Sequence, residues 1–232
     1  MIGALVRSVV QSEPDDVRTV RSVSIQMMAP AVVGPHVIDT RIVRRGSSMS
    51  TWSAGVVDAA GGVVASMAAI MGSPRAAVRA HAGSQWGTGS APSVPPADAV
   101  APVPSGPPLP VFTQHLDFRA VSGIPLTGGA AESVGWLRLR QQPAHSAVTL
   151  LALADAWWPA SLPMLDEMPR IATASFTANL LVDPATVHAQ DPLLHDSSVA
   201  AAADGFASEH RRLWTLDGRL AVDNLQTMVV GS

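Results

Sequence analysis

Cysteine, lysine and tyrosine are all missing from this 232-residue chain. Each absence removes a chemistry, because a thiolate nucleophile, a Schiff base, a phosphate-gripping P-loop ammonium and a phenolic acid each need their own side chain. Without cysteine there is also no disulfide, which suits a reducing compartment. Ser, Thr, His, Asp, Glu or water must do any catalysis. Positive charge comes from fifteen arginines alone, scattered along a chain of formal net charge −3. That pattern offers no basic stripe, so no nucleic-acid partner is expected, while anionic small molecules remain open. Long apolar runs are missing too. Met1 to Val10 is interrupted by Arg7 and followed by Gln11, Glu13, Asp15 and Asp16, well short of a membrane span and without a signal-peptide layout. The expectation is a cytoplasmic protein.

What is present reads as helix and strand in order. Residues 2 to 12 predict a helix, stopped by Ser12-Glu13-Pro14-Asp15-Asp16. From Thr19 to Met28, Val23, Ile25 and Met27 alternate with Ser22, Ser24 and Gln26, which is the period of a half-buried strand. Further strands are expected at His36 to Arg44, Ser48 to Asp58 and Val63 to Met71. Prolines 92, 95, 96, 102, 104, 107, 108 and 110 then mark residues 83–110 as a partly extended, mobile linker. Beyond it come strands at Phe112 to Val121 and Val134 to Gln141, a helix from Ala147, a strand from Ile171 to Val182, and a final hairpin. Asp217-Gly218 is the turn between its arms, Phe206 to Leu216 and Arg219 to Val230. This order divides the chain into units at 1–82 and 111–232, weak copies of one pattern. In that alignment Gly62 to Ile70 echoes Gly218 to Gln226, which makes Ile70 the core counterpart of Gln226. One sheet is expected to wrap each helix, and the two units to pack together.

The helix from Ala147 holds the least explained residue. Val148, Leu150, Leu151, Leu153 and Ala154 leave it almost no polar face, so it should be buried on all sides. Asp155 then places a carboxylate at the negative end of the helix dipole, beside Trp157 and Trp158, where water is scarce. Both circumstances disfavour the charged form and make Asp155 a candidate site residue. Capping of a loop amide would explain it as well. Gln226 shares a face with Leu220, Val222, Met228 and Val230, so a primary amide points toward the apolar side, where it needs partners. Thr173 opens the strand after the helix, but alternation groups it with Ser175, Thr177 and Asn179, opposite Phe176, as a surface threonine. A carboxylate, a hydroxyl and an amide could together hold one water and polarise one carbonyl.

Other motifs are weaker. Glu132-Ser133-Val134-Gly135 imitates a nucleophile elbow but runs into a strand where that motif requires a helix. His188 and His195 read as loop histidines beside Asp191 and Asp196, and His115 precedes Asp117. None of these has metal-site spacing, so no metal is expected. Arg44-Arg45 and Arg211-Arg212 could meet phosphate or simply be solvated strand ends.

The order of helix, Asp155-Ala-Trp-Trp-Pro159, Ile171-Ala-Thr173 and Gly218-Arg-Leu-Ala-Val-Asp-Asn-Leu-Gln226 resembles the second half of the double-hotdog acyl-CoA thioesterases, the acyl-CoA thioesterase II-like family. Ser22 to Pro30, Arg44-Arg45-Gly46 and Gly62 to Gly72 extend the resemblance to the first half. It implies an α+β double hotdog that hydrolyses the thioester of acyl-CoA or an acyl carrier, with no cofactor. It also implies that Asp155, Thr173 and Gln226 hold the hydrolytic water. The family places a strand and a glycine-rich helix start ahead of the first helix, so the first hotdog reads as N-terminally truncated. An edge left bare by that truncation would invite pairing between copies, and a homo-oligomer is an expected state. Two alternatives accompany this reading. One is a catalytically silent hotdog protein that binds acyl chains or serves as a partner subunit. The other is a hotdog hydratase, disfavoured because no His follows Asp155 within the Trp157 to Pro163 turn.

Overall fold

The computed structural model describes residues 1–75, 90–106, 109–141 and 144–231. Two helices, α1 (Ile2–Ser12) and α2 (Ala147–Ala156), lie against ten strands. The strands of the first half are β1 (Thr19–Met27), β2 (His36–Arg45), β3 (Met49–Asp58) and β4 (Val63–Gly72). Those of the second half are β5 (Leu116–Ser122), β6 (Glu132–Leu139), β7 (Arg170–Leu180), β8 (Leu193–Ala203), β9 (Phe206–Trp214) and β10 (Leu220–Gly231). The expected separate sheets are in fact one continuous sheet, in the order β2-β3-β4-β1-β7-β10-β9-β8-β6-β5. The join is the antiparallel pair β1–β7, where Ser22 to Gln26 lie opposite Asn179 to Ser175. Sequence periodicity marks both strands as half-buried but says nothing of their pairing partners, so this union is invisible in the sequence.

Both helices pack on one face of the sheet and on each other, and a single core runs through both halves, from Leu5, Val9 and Ile25 to Leu150, Leu153 and Phe176. The alternation of β1 supplies Val23 and Ile25 to this core. At α2 the Ser146 hydroxyl accepts from the Thr149 amide while the Thr149 hydroxyl accepts from the Ser146 amide. This reciprocal cap starts the helix sharply. Asp217-Gly218 does form the β9–β10 turn, with Gly218 at φ +81°.

Two further expectations change. Residues 193–203, read as loop, form β8 between β6 and β9. Their run of short residues, Ser197 to Ala203, carries little strand periodicity. Of the proline-rich stretch, residues 83–89, 107 and 108 lie outside the described residues. The rest is tied to the body: Ala91, Val94, Ala97 and Val100 pack over Trp136, Leu194 and Trp214 on the sheet's other face. The Trp136 indole donates to the Pro95 carbonyl at 2.9 Å, and the Val103 amide donates to the Phe118 carbonyl at 2.7 Å. Proline denies this stretch ladder donors, yet its carbonyls still accept from side chains. Finally, no helix is long and apolar enough to cross a membrane among the described residues.

Candidate active site

The inner face of β10 carries Asn224, Gln226 and Met228 beneath the C-terminal end of α2. Gln226 is fully buried, and its amide nitrogen donates to Asp155 Oδ1 at 3.2 Å and to Asn224 Oδ1 at 3.0 Å. Its carbonyl oxygen accepts from the Thr173 hydroxyl at 3.2 Å. Asp155, Gln226 and Thr173 therefore form one hydrogen-bonded line. Asn224 is fixed in turn by donating to the Thr177 carbonyl at 2.9 Å.

Thr173 reaches this line through a bulge. In the β7–β10 ladder Thr227 faces Ser175 while Met228 faces Thr173, which leaves Ala174 as an extra residue. One extra residue reverses the facing of everything before it. Thr173 thus lies on the inner side with Phe176, where strict alternation would have put it outside. The same irregularity occurs in β1, where Val20 faces Met71, Ser22 faces Ile70 and Arg21 is extra. Superposing the two bulges equates Val20 with Thr173, Met71 with Met228 and Ala69 with Gln226. Ala69 is buried, whereas Ile70 is 38% exposed, so the sequence alignment that matched Ile70 to Gln226 is one residue out.

Two charged residues beneath the helix end escaped the sequence reading. Arg211, for which the sequence offers a phosphate contact or a solvated strand end, is 2% exposed in mid-strand and pairs with fully buried Glu209 at 2.7 Å. Its guanidinium also donates to the carbonyls of Asp155 at 3.4 Å and Trp157 at 3.1 Å, capping the C-terminus of α2 with positive charge. Glu209 accepts from the Ala160 amide at 3.0 Å. Alternation could have found this pair, since Ala207, Glu209, Arg211 and Leu213 share the inner face. Its neighbour Arg212 binds Asp196 at 2.6 Å and lies over the Trp214 ring.

Burial pushes the Asp155 carboxyl above its ordinary value, against the opposing pull of the Arg211 cation and the Gln226 hydrogen bond. Trp157 and Trp158 contribute to that dry setting. Trp157 is buried and donates to Ser133 Oγ at 2.7 Å, while the half-buried Trp158 donates to the Gly123 carbonyl at 2.8 Å. Ser133, the residue of the apparent elbow, is thus an anchor for an indole on β6. Gly135 lets that indole approach, because a methyl group there would overlap the Trp157 ring and the Arg119 carbonyl. His195, expected in a loop, sits fully buried in β8 with its ring stacked on Trp157 at 5.0 Å. Burial, with the Arg211 cation nearby, holds its pKa well below 6.5, so the imidazole is neutral. His188 is the exposed one, 3.5 Å from Asp191. Among the described residues no three His, Asp or Glu side chains converge as a metal would require.

This geometry has a definite chemical capacity. Asp155 Oδ1 is committed to Gln226, and no protein donor among the described residues holds Oδ2. The Thr173 proton goes to Gln226, which leaves the hydroxyl oxygen free to accept. One water could donate to both.

Comparison with known proteins fits this architecture. The acyl-CoA thioesterase N-terminal domain matches residues 1–72 and the acyl-CoA thioesterase C-terminal domain matches residues 91–230. No protein of curated function is similar enough in sequence to count as a match. Among solved structures, a hot dog fold protein of unknown function from Alicyclobacillus acidocaldarius superposes with a TM-score of 0.88 at 23% identity, covering 100% of this chain and 85% of its own. A putative thioesterase II from Thermobifida fusca gives 0.78 at 24% identity, covering 100% and 87%. Acyl-CoA thioesterase II TesB2 from Mycobacterium marinum gives 0.75 at 21%, covering 98% and 86%. With a hotdog fold of two helices on one ten-stranded antiparallel sheet, and both domain families matched in order, the chain belongs to the acyl-CoA thioesterase family.

Proposed function

We propose that this protein hydrolyses the thioester of acyl-CoA, or of a similar acyl carrier, with water as the nucleophile and Asp155 as general base. The observation that carries the reading is the Gln226 bridge, which fixes Asp155 and Thr173 in one line and leaves each an oxygen that can accept from the same water. As that water attacks the carbonyl carbon, its proton passes to Asp155 and a tetrahedral oxyanion forms. Collapse breaks the C–S bond, and the departing sulfur takes the proton from Asp155, giving a free thiol and a carboxylic acid. The raised Asp155 pKa suits a group that must both take and return a proton. Gln226 orients the base and the threonine, and Thr173 aims the water.

The test is release of free thiol from a series of acyl-CoA esters. A thiol reagent reads it without background, since the chain has no cysteine. Wild type should cleave at least one chain length, and Asp155→Asn should lose about a hundred- to ten-thousand-fold in kcat/KM while keeping its fold. Near-normal cleavage by folded Asp155→Asn refutes the assignment.

A further inference from the structure

A primary amide has one end that donates and one that accepts, and the shape of a glutamine side chain does not decide which way they turn. For Gln226 the choice matters, because its two ends meet different members of the site. Its nitrogen donates to Asp155 Oδ1 and to Asn224 Oδ1, and its oxygen accepts from the Thr173 hydroxyl. Asn224 is 1% exposed and poses the same question one step further back. There the backbone fixes the answer. The Asn224 nitrogen donates to the Thr177 carbonyl at 2.9 Å and to the Leu225 carbonyl at 3.4 Å, and a carbonyl can only accept. Asn224 Oδ1 is thereby turned toward Gln226, where only the nitrogen of that amide can meet it.

We propose that Asn224 is a positioning residue that sets the polarity of the whole hydrogen-bonded line, and through it the direction in which the attacking water points. The proposal rests on the hydrolytic reading given above. With Gln226 taking the Thr173 proton, the water donates to both Asp155 and Thr173 and keeps its lone pairs for the carbonyl carbon. Turning the Gln226 amide over reverses each link. Its oxygen then opposes Asp155 and Asn224 Oδ1, its nitrogen donates to Thr173, and the Thr173 proton is left for the water. A water that accepts from Thr173 directs a lone pair at the threonine, and Asp155 tolerates the reversed amide only by taking up a proton. Base and nucleophile are lost together. While Asn224 is present, two contacts between acceptors oppose the turn. Without it one remains, and protonation of Asp155 relieves that one. The first half needs no such control, and at the equivalent ladder position it holds buried Met67.

Asn224→Leu and Asn224→Met, the second being the first half's own residue, replace the amide with apolar side chains, and circular dichroism melting checks that each folds. In thiol release from an acyl-CoA ester, each should lower kcat by about tenfold, the order of one hydrogen bond's net contribution. KM should stay within about twofold, because the line is disturbed and substrate binding is not. In a Gln226→Leu background the same substitutions should cost nothing further, since Asn224 acts through that amide alone. Titration of isotope-labelled aspartate by NMR, with Asp155 identified by its loss in Asp155→Asn, reads the amide without any turnover. The Asp155 midpoint should move upward in both variants, because the other charges acting on it, those of Arg211, Glu209 and the Met1 amino group, are untouched. Wild-type kcat in the folded variants, an equal loss in both backgrounds, or an Asp155 midpoint that stays or falls overturns the proposal. A wild type that releases no thiol from any ester overturns the hydrolytic reading instead, and the Asp155 midpoint still decides whether Asn224 governs Gln226.

Discussion

The two halves end their helices in the same way and use the ending differently. At the C-terminus of α1 the carboxylate of Glu13 accepts from the Ser50 hydroxyl, the Trp52 indole at 2.9 Å and the Asp15 amide at 3.3 Å, and pairs with Arg45 at 2.8 Å. At the end of α2, Asp155 has one side-chain donor, Gln226. Burial acts to raise both carboxyls. For Glu13 the Ser50 and Trp52 bonds and the Arg45 charge overcome it and the net displacement is downward, whereas for Asp155 burial prevails. The strands beneath diverge to match. Where the first half has Val20, Ala69, Met67 and Ala54, the equivalent ladder positions of the second hold Thr173, Gln226, Asn224 and Arg211. One scaffold thus carries a saturated carboxylate over an apolar floor and an under-supplied carboxylate over a polar one. The first has the properties of a structural pin and the second those of a proton acceptor.

Several substitutions would sharpen or break this contrast. The largest expected effect is the loss of activity in Asp155→Asn, which in free energy is about 3 to 5 kcal/mol of transition-state stabilisation. Its stability should move the other way. A carboxyl whose folded pKa is raised contributes most stability below its unfolded pKa of about 3.8 and loses that contribution as pH rises through the folded value. Removing the ionisation therefore leaves the protein equally or more stable at pH 7, which denaturant titration at pH 4 and pH 7 would reveal. The acidic limb of kcat/KM against pH in the wild type should be displaced upward from an ordinary aspartate.

Glu13→Gln is the matched control. It should cost about 2 kcal/mol of stability, because an amide cannot accept from all of Glu13's donors and leaves Arg45 unpaired, while kcat/KM stays within about twofold. A large activity loss there would erase the distinction between the halves. Thr173→Val keeps the shape of a residue opposite Met228 and removes the hydroxyl. An activity loss of about tenfold, or roughly 1.4 kcal/mol, is expected with little change in melting. The smallest effect concerns His195. Its folded pKa lies below the unfolded value near 6.5, so its contribution is present above that pH and is lost as pH falls. Wild type should lose about 1 kcal/mol between pH 6.5 and 5.5 from this group, and His195→Phe, which can still stack on Trp157, should flatten that slope.

Where side-chain alternation runs undisturbed, the strands and the inward amide of Gln226 were legible, as was the buried helix ending in Asp155. Alternation alone put Thr173 outside because a bulge is an insertion in a ladder, visible only against a paired strand, whereas the resemblance had grouped it with Asp155 and Gln226. The buried charges of Glu209 and Arg211 were overlooked because charged residues default to the surface, although their alternation with Ala207 and Leu213 argued otherwise. β8 disappeared into its short side chains, and with it the burial of His195. The resemblance carried the pairing of Asp155 with Gln226 across 71 residues, a separation that no local pattern spans.

The Glu209–Arg211 pair has a mechanical consequence. Through it, three backbone groups at the end of α2 and in the turn after it are stitched to the middle of β9: the carbonyls of Asp155 and Trp157, and the amide of Ala160. Lifting that turn would strip two carbonyls from a buried guanidinium and an amide from a buried carboxylate in a place with almost no water, so the segment carrying Asp155 should be among the stiffest in the molecule. In deuterium, the Ala160 amide hydrogen should exchange only as fast as the whole domain opens.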